Sequence, residues 1–181
     1  KLEAVLEKPI RHQELLDTLV NIYGVMAGGE KPSRAAAAAS LTLAREIYKD
    51  IEDVLLSGGD PLTFDDDRLD YILGELRRRA PHVRFLRMGS RMVVQLPTRV
   101  TPELCAVLEK HRVQMINIHI NHPKEITPLL RQRVKLLQKA GIMMGLQTVC
   151  LKGVNDDVAV MRELFMQSIE MGVRPYYVYS T

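Results

Sequence analysis

From about Asp53 onward, short apolar stretches alternate with segments of helical periodicity. The apolar stretches begin near Asp53, Val83, Met115, Ile142 and Val173. Their spacing of roughly thirty residues is that of a repeated βα unit. This predicts strands near 53–57, 84–88, 115–120, 143–149 and 174–179. The intervening helices carry start and stop signals. Asp65-Asp66-Asp67 precedes an apolar stripe of Leu69, Ile72, Leu73 and Leu76, supplying a cap and favourable charge at the helix N-terminus. Thr101-Pro102 and Thr127-Pro128 read as an N-cap followed by proline in the first turn, and Gly141 as a stop. Asn155-Asp156 is expected to cap a helix carrying Val158, Met161, Leu164 and Phe165, closing at Gly172. Strand and helix in alternation with short connections mean an α/β fold with a parallel sheet, either a barrel or a doubly wound one.

The N-terminal part differs, so a boundary is expected near residue 45. Residues 1–45 read as a helical or irregular segment and 46–181 as the α/β unit. Leu15, Leu16, Leu19, Val20 and Tyr23 have helical spacing, while 27–40 combine a glycine-rich loop with five alanines in a row, Ala35 to Ala39.

The strand ends carry the candidate chemistry, because ligands of parallel α/β proteins bind at the carboxyl ends of the strands. Ile116, Ile118 and Ile120 alternate with Asn117, His119 and Asn121. If the isoleucines pack under helices, the polar set faces the other way, where a ligand, water or a polar network must satisfy it. A network of core residues satisfying one another is the competing reading. His119 and His122 have no cysteine or carboxylate at ligand spacing, so a metal pair is not supported. Ser57-Gly58-Gly59-Asp60 follows an apolar strand, and its glycines let the backbone approach a ligand. Arg87, Ser90 and Arg91 at the next strand end suit a phosphate or carboxylate, or are a surface arginine pair. Gln147 lies in the fourth strand, and Tyr176, Tyr177 and Tyr179 form an apolar wall with polar tips or part of the core.

Composition narrows the function. The chain has 181 residues, 46% hydrophobic and 26% charged, which suits a globular domain with a sizeable core. A net charge of +3 with dispersed Lys and Arg gives no argument for nucleic acid or an anionic membrane. No apolar run reaches membrane-span length, and the first eleven residues lack a signal-peptide core. With two cysteines, Cys105 and Cys150, no disulfide framework is expected, and the default location is the cytoplasm.

Five motifs together resemble the lysine 2,3-aminomutase family, including its glutamate-using and protein-lysine-modifying relatives. They are SGGDPL (57–62), RMGSR (87–91), HINHPKEIT (119–127), LQTVCLKGVND (146–156) and VRPYYVY (173–179), in this order and spacing. The resemblance spans roughly residue 50 to 181. It implies a partial parallel (β/α) barrel of the radical S-adenosylmethionine type. In that family a [4Fe–4S] cluster cleaves S-adenosylmethionine, and the resulting radical takes a hydrogen from an amino acid held on pyridoxal phosphate. An amino group then migrates between adjacent carbons. By this resemblance Ser57, Gly58, Gly59 and Asp60 receive the methionine amino group, and Asn117, His119 and Gln147 line the adenosylmethionine pocket. Arg87, Ser90 and Arg91 are candidates for anionic groups of either cofactor. The partner implied is a small-molecule amino acid.

Three departures qualify this. The family's Cys-x-x-x-Cys-x-x-Cys before SGGDPL is absent, and residues 27–40 stand where the arginine-rich segment after it is expected. The family's later aspartate and its pyridoxal-phosphate lysine have no counterpart before Thr181. A cluster needs thiolates, so the chain as written is expected to hold none and to have no catalytic residue of its own. A fragment or an incomplete sequence is expected. The alternative is a non-catalytic or metal-free α/β-barrel relative acting as a binding or scaffold module. An incomplete barrel also exposes apolar edges, which favours a homo-oligomer.

Overall fold

Residues 51–57 and 59–180 are described by the structure, a computed structural model. The expectations for residues 1–45, including the helical pattern and the alanine run, and for Gly58 lie outside the described residues.

Strands form at the five expected places: β1 (Asp53–Leu56), β2 (Phe85–Ser90), β3 (Met115–His119), β4 (Met143–Cys150) and β5 (Arg174–Ser180). They make one open sheet in the order β1-β2-β3-β4-β5, and every neighbouring pair is parallel. The order lacks the reversal that marks a doubly wound sheet. A bulge falls between Leu146 and Gln147, where β5 shifts register by one residue against β4.

The helices are α1 (Asp66–Arg79), α2 (Met92–Gln95), α3 (Pro102–Lys110), α4 (Pro128–Lys139) and α5 (Val158–Glu170). Side chains of Asp65, Thr101 and Thr127 cap α1, α3 and α4, each accepting from the backbone N–H three residues on. Gly141 and Gly172 follow α4 and α5 with φ of 78° and 75°, the left-handed conformation that favours glycine. Two expectations are corrected. The cap of α5 is Asp157, which accepts from Ala159 N and Val160 N, whereas Asn155 is buried and engaged elsewhere. Val158, placed on the apolar stripe, is 84% exposed because it sits at the first turn, before the helix reaches the core.

One apolar cluster joins Leu86 and Met88 of β2, Ile116, Ile118 and Ile120, and Met144 and Leu146 of β4. Leu69, Leu73, Leu104, Leu108, Leu130, Val134 and Leu137 of the helices complete it. The three isoleucines are fully buried. Burial of each stabilises the fold by about 1.5–3 kcal/mol, so a one-residue slip of β3 would cost several such terms. The opposite face of the sheet is barer: Leu55, Phe85 and Met143 are each about half exposed. The basic run at the end of α1 serves packing. Arg77 donates to the carbonyls of Val83, His111 and Arg112, while Arg78 and Arg79 pair with Glu75. Among the described residues, no helix is long and apolar enough to cross a membrane.

Candidate functional site

Parallel register organises the barer face in layers. Gly89, Asn117 and Gly145 are register partners across β2, β3 and β4. One layer further toward the carboxyl ends, His119 is the partner of Gln147. Neighbouring strands are about 4.8 Å apart, and partners in register project to the same face. The burial of Ile116, Ile118 and Ile120 under the helices therefore puts Asn117 and His119 on the barer face. Ser57 belongs beside them, because a Cβ built on Gly89 would lie 3.4 Å from the Ser57 hydroxyl.

These polar residues differ in how far the protein satisfies them. Gln147 is buried, and its Nε2 lies 3.5 Å from the Tyr179 hydroxyl, at the limit of a hydrogen bond. Asn117 is 1% exposed, yet neither its Nδ2 nor its Oδ1 has a hydrogen-bond partner. Burying an unpaired amide costs free energy, so most such groups are satisfied by protein or water. The orphaned Asn117 amide, one layer below the strand end, is therefore a candidate position for a bound molecule.

The Ser57–Asp60 turn is held from outside the face. Gly59 has φ of 63°, which favours glycine. The Asp60 carboxylate accepts from Leu62 N at 3.0 Å, Ser90 Oγ at 3.0 Å, Arg91 N at 2.6 Å and Met92 N at 2.8 Å. Asp60 thus ties the turn after β1 to the end of β2 and to the start of α2.

Arg87, Ser90 and Arg91 do not converge on one site. Arg87 grips Asp53 with two contacts of 2.8 and 2.7 Å, and its Nη1 donates to the Tyr176 hydroxyl at 3.3 Å, reaching from β2 to β5. The hydrogen bond to Asp53 raises the Arg87 pKa. Ser90 is buried and donates to Asp60. Arg91 donates to the His119 carbonyl at 3.2 Å and to Glu125 Oε2 at 3.0 Å. The three tyrosines of β5 are exposed, with Tyr176 and Tyr177 edge to face at 4.4 Å and Tyr177 and Tyr179 tilted at 5.8 Å.

Sequence reasoning missed the residues that fix the strand-end loops. Glu125 Oε1 accepts from Asn121 N and His122 N, closing a capping box around the Pro123–Glu125 turn. Asn121 Oδ1 accepts from Val149 N at 3.0 Å. Asn155, 1% exposed, donates to the Asn121 and Val149 carbonyls and accepts from Leu151 N. The available signal was the spacing His122-x-x-Glu125, which is that of a capping box.

The described residues differ in their fit to the three groups the resemblance implies. Around the orphaned Asn117 amide, Ser57, His119 and Gln147 offer hydrogen-bonding groups of the kind that the hydroxyls and ring nitrogens of a nucleoside such as adenosylmethionine would use. The described residues do not fit a [4Fe–4S] cluster, since no group of three His, Cys, Asp or Glu side chains among them is arranged for a metal. Cys105 is buried in α3, where desolvation pushes its thiol up to about 11. As for pyridoxal phosphate, among the described residues the strands carry no lysine, and the lysines nearest their carboxyl ends, Lys124 and Lys152, are exposed in the loops after β3 and β4.

Comparison with known proteins agrees with the motifs. No protein-family model matches the sequence. The L-lysine 2,3-aminomutase of Fusobacterium nucleatum is 48% identical over 129 residues, covering 71% of this chain and 30% of that protein. The L-lysine 2,3-aminomutase of Clostridium subterminale is 49% identical, over 71% of this chain and 31% of the relative. The glutamate 2,3-aminomutase of Clostridioides difficile is 41% identical over 149 residues, 82% of this chain and 35% of the relative. The chain thus spans about a third of the length of these relatives. With the five motifs and identity of this level over most of its residues, the chain belongs to the lysine 2,3-aminomutase family.

Proposed function

We propose that this chain forms the S-adenosylmethionine-binding sector of a parallel (β/α) barrel in a protein that moves an amino group between adjacent carbons of an amino acid. The observation that carries the reading is the orphaned Asn117 amide beneath the register pair His119 and Gln147. The sequential, all-parallel strand order suits a barrel sector. The Arg87–Tyr176 contact between β2 and β5 supports the same curvature.

Within that reading each residue has a task at a stated atom. The turn after β1 offers backbone groups to the ligand's amino-acid end, and Asp60 holds the turn in place through four accepted hydrogen bonds. Arg91 fixes the His119 carbonyl, so the imidazole is presented from a rigid strand end. Gln147 and Asn117 supply neutral donors and acceptors to the hydroxyl and ring-nitrogen groups of a nucleoside. When bound, S-adenosylmethionine supplies the hydrogen-abstracting chemistry of the family resembled. In this reading the task of the described residues is to bind and orient S-adenosylmethionine.

The sequence contains only Cys105 and Cys150, which favours a second reading, a binding relative without the radical chemistry. The two are separated with the complete gene product under reducing, anaerobic conditions, supplied with S-adenosylmethionine and isotopically labelled lysine or glutamate. The first reading expects label in a product whose amino group sits on the adjacent carbon. Adenosylmethionine binding with no migrated product from any amino acid would leave the second.

A further inference from the structure

Gly145 lies in the interior of β4, where glycine is unfavourable because it packs no side chain and loses much conformational freedom on folding. Its backbone gives no reason for glycine, since its φ is not among the positive values. Space does. A Cβ placed on Gly145 would overlap the Asn117 side-chain oxygen, come within 2.6 Å of Met115 Cε and lie 3.3 Å from Asn117 Cγ. Gly145 is buried and is the direct register partner of Asn117. The Asn117 amide therefore lies across the β4 backbone at the one place where no side chain obstructs it. That amide is the orphaned group of the face, 1% exposed and with neither polar atom paired.

We propose that Gly145 is a positioning residue, whose missing side chain holds the Asn117 amide flat across β4 so that it meets a neutral hydrogen-bonding group of the ligand. The inference rests on the reading of this face as an adenosylmethionine pocket. The partner it assigns to Asn117 is uncharged, because the register layer of Gly89, Asn117 and Gly145, with Ser57 against Gly89, contains no ionisable side chain. A primary amide there offers two donors and an acceptor, which matches a hydroxyl able to give and receive. Any side chain on Gly145 would turn the amide away and leave the ligand group unpaired.

The test is a double-mutant cycle on the complete gene product, with Gly145→Ala, Asn117→Ala and the double variant. Thermal melting without ligand comes first, then calorimetric titration with S-adenosylmethionine. Gly145→Ala is expected to lower the melting temperature with asparagine at 117 and to have a clearly smaller effect with alanine there, since only the contact with the flexible end of Met115 then remains. Either single substitution should weaken adenosylmethionine binding on the order of tenfold, and the double variant should lose no more than one of them. The conservative variant Asn117→Ser, which keeps a hydrogen-bonding group, should recover part of the affinity. Additive losses, or melting changes that ignore residue 117, would overturn the coupling. A wild type that binds while Asn117→Ala binds equally well would overturn the assignment to Asn117 and leave the pocket intact. A wild type that takes up no adenosylmethionine would instead refute the functional reading on which the proposal rests.

Discussion

Asn155 joins three backbone groups that belong to the ends of two strands. Its Nδ2 lies 2.7 Å from the Asn121 carbonyl and 2.8 Å from that of Val149, and its Oδ1 accepts from Leu151 N at 2.7 Å. Asn155→Ala would remove the Asn155 partner from all three part-buried groups, and is expected to cost about 1–3 kcal/mol in urea denaturation. Asn155→Asp turns the donor into a carboxylate facing two carbonyls and should be worse at neutral pH. An Asn155→Ala protein as stable as wild type would show that water takes over these bonds. This residue also marks a limit of sequence reading. The run Asn155-Asp156-Asp157 announces a helix cap, but one acidic residue in it is as good a cap as another, and Asp157 takes the role. The Asn155 contact to Asn121 crosses 34 positions, which local patterning cannot supply. His119 is the contrasting case, because the alternation in β3 alone fixes which way it faces. The orphaned Asn117 amide lies between these, its face legible and its lack of partners not.

Elements were legible where a period or a cap was long enough to register. The caps of α1, α3 and α4 and the strands β1 to β5 follow from such signals. Helix α2, four residues long, is too short for a hydrophobic period. It forms where Asp60 accepts from the backbone N–H groups of Arg91 and Met92, a tertiary cause without a local signature. The end of α1 yields a prediction at this scale. Hydrogen bonding to Arg78, and then to Arg79, lowers the Glu75 pKa from 4.5 to about 2. The folded value lies below the unfolded one, so the stabilisation is fully present above pH 4.5 and is lost as pH falls through about 2. Arg78 is largely exposed, so the effect is small and screened by salt. The melting temperature of Glu75→Gln should fall below that of wild type at neutral pH, and the two should converge toward about pH 2 in low salt. Parallel acid profiles would contradict the pairing.

At the scale of the whole molecule, the described residues form five parallel strands in sequential order. One face lies under the helices and the other is barer among these residues, and the candidate pocket lies at the carboxyl ends of the barer face. The parallel α/β sheet and the face on which Asn117 and His119 lie were legible from the repeat of strand and helix and from the alternation in β3. The partners of Arg87, Arg91 and Asp60 were not. The arginines suggested anion contacts through their charge and Asp60 a ligand contact through the family resemblance, and the structure also engages each with protein groups on other strands and turns. The chain covers about a third of the aminomutases it resembles, so what it contributes by itself is best measured as binding. The most direct measurement is calorimetric titration of S-adenosylmethionine into the complete gene product beside His119→Ala and Gln147→Ala, each checked for an unchanged melting temperature. A pocket built on this register pair predicts that each variant loses about 1–3 kcal/mol of binding free energy, roughly tenfold or more in dissociation constant. Wild-type affinity in both variants would place the ligand elsewhere and contradict the account.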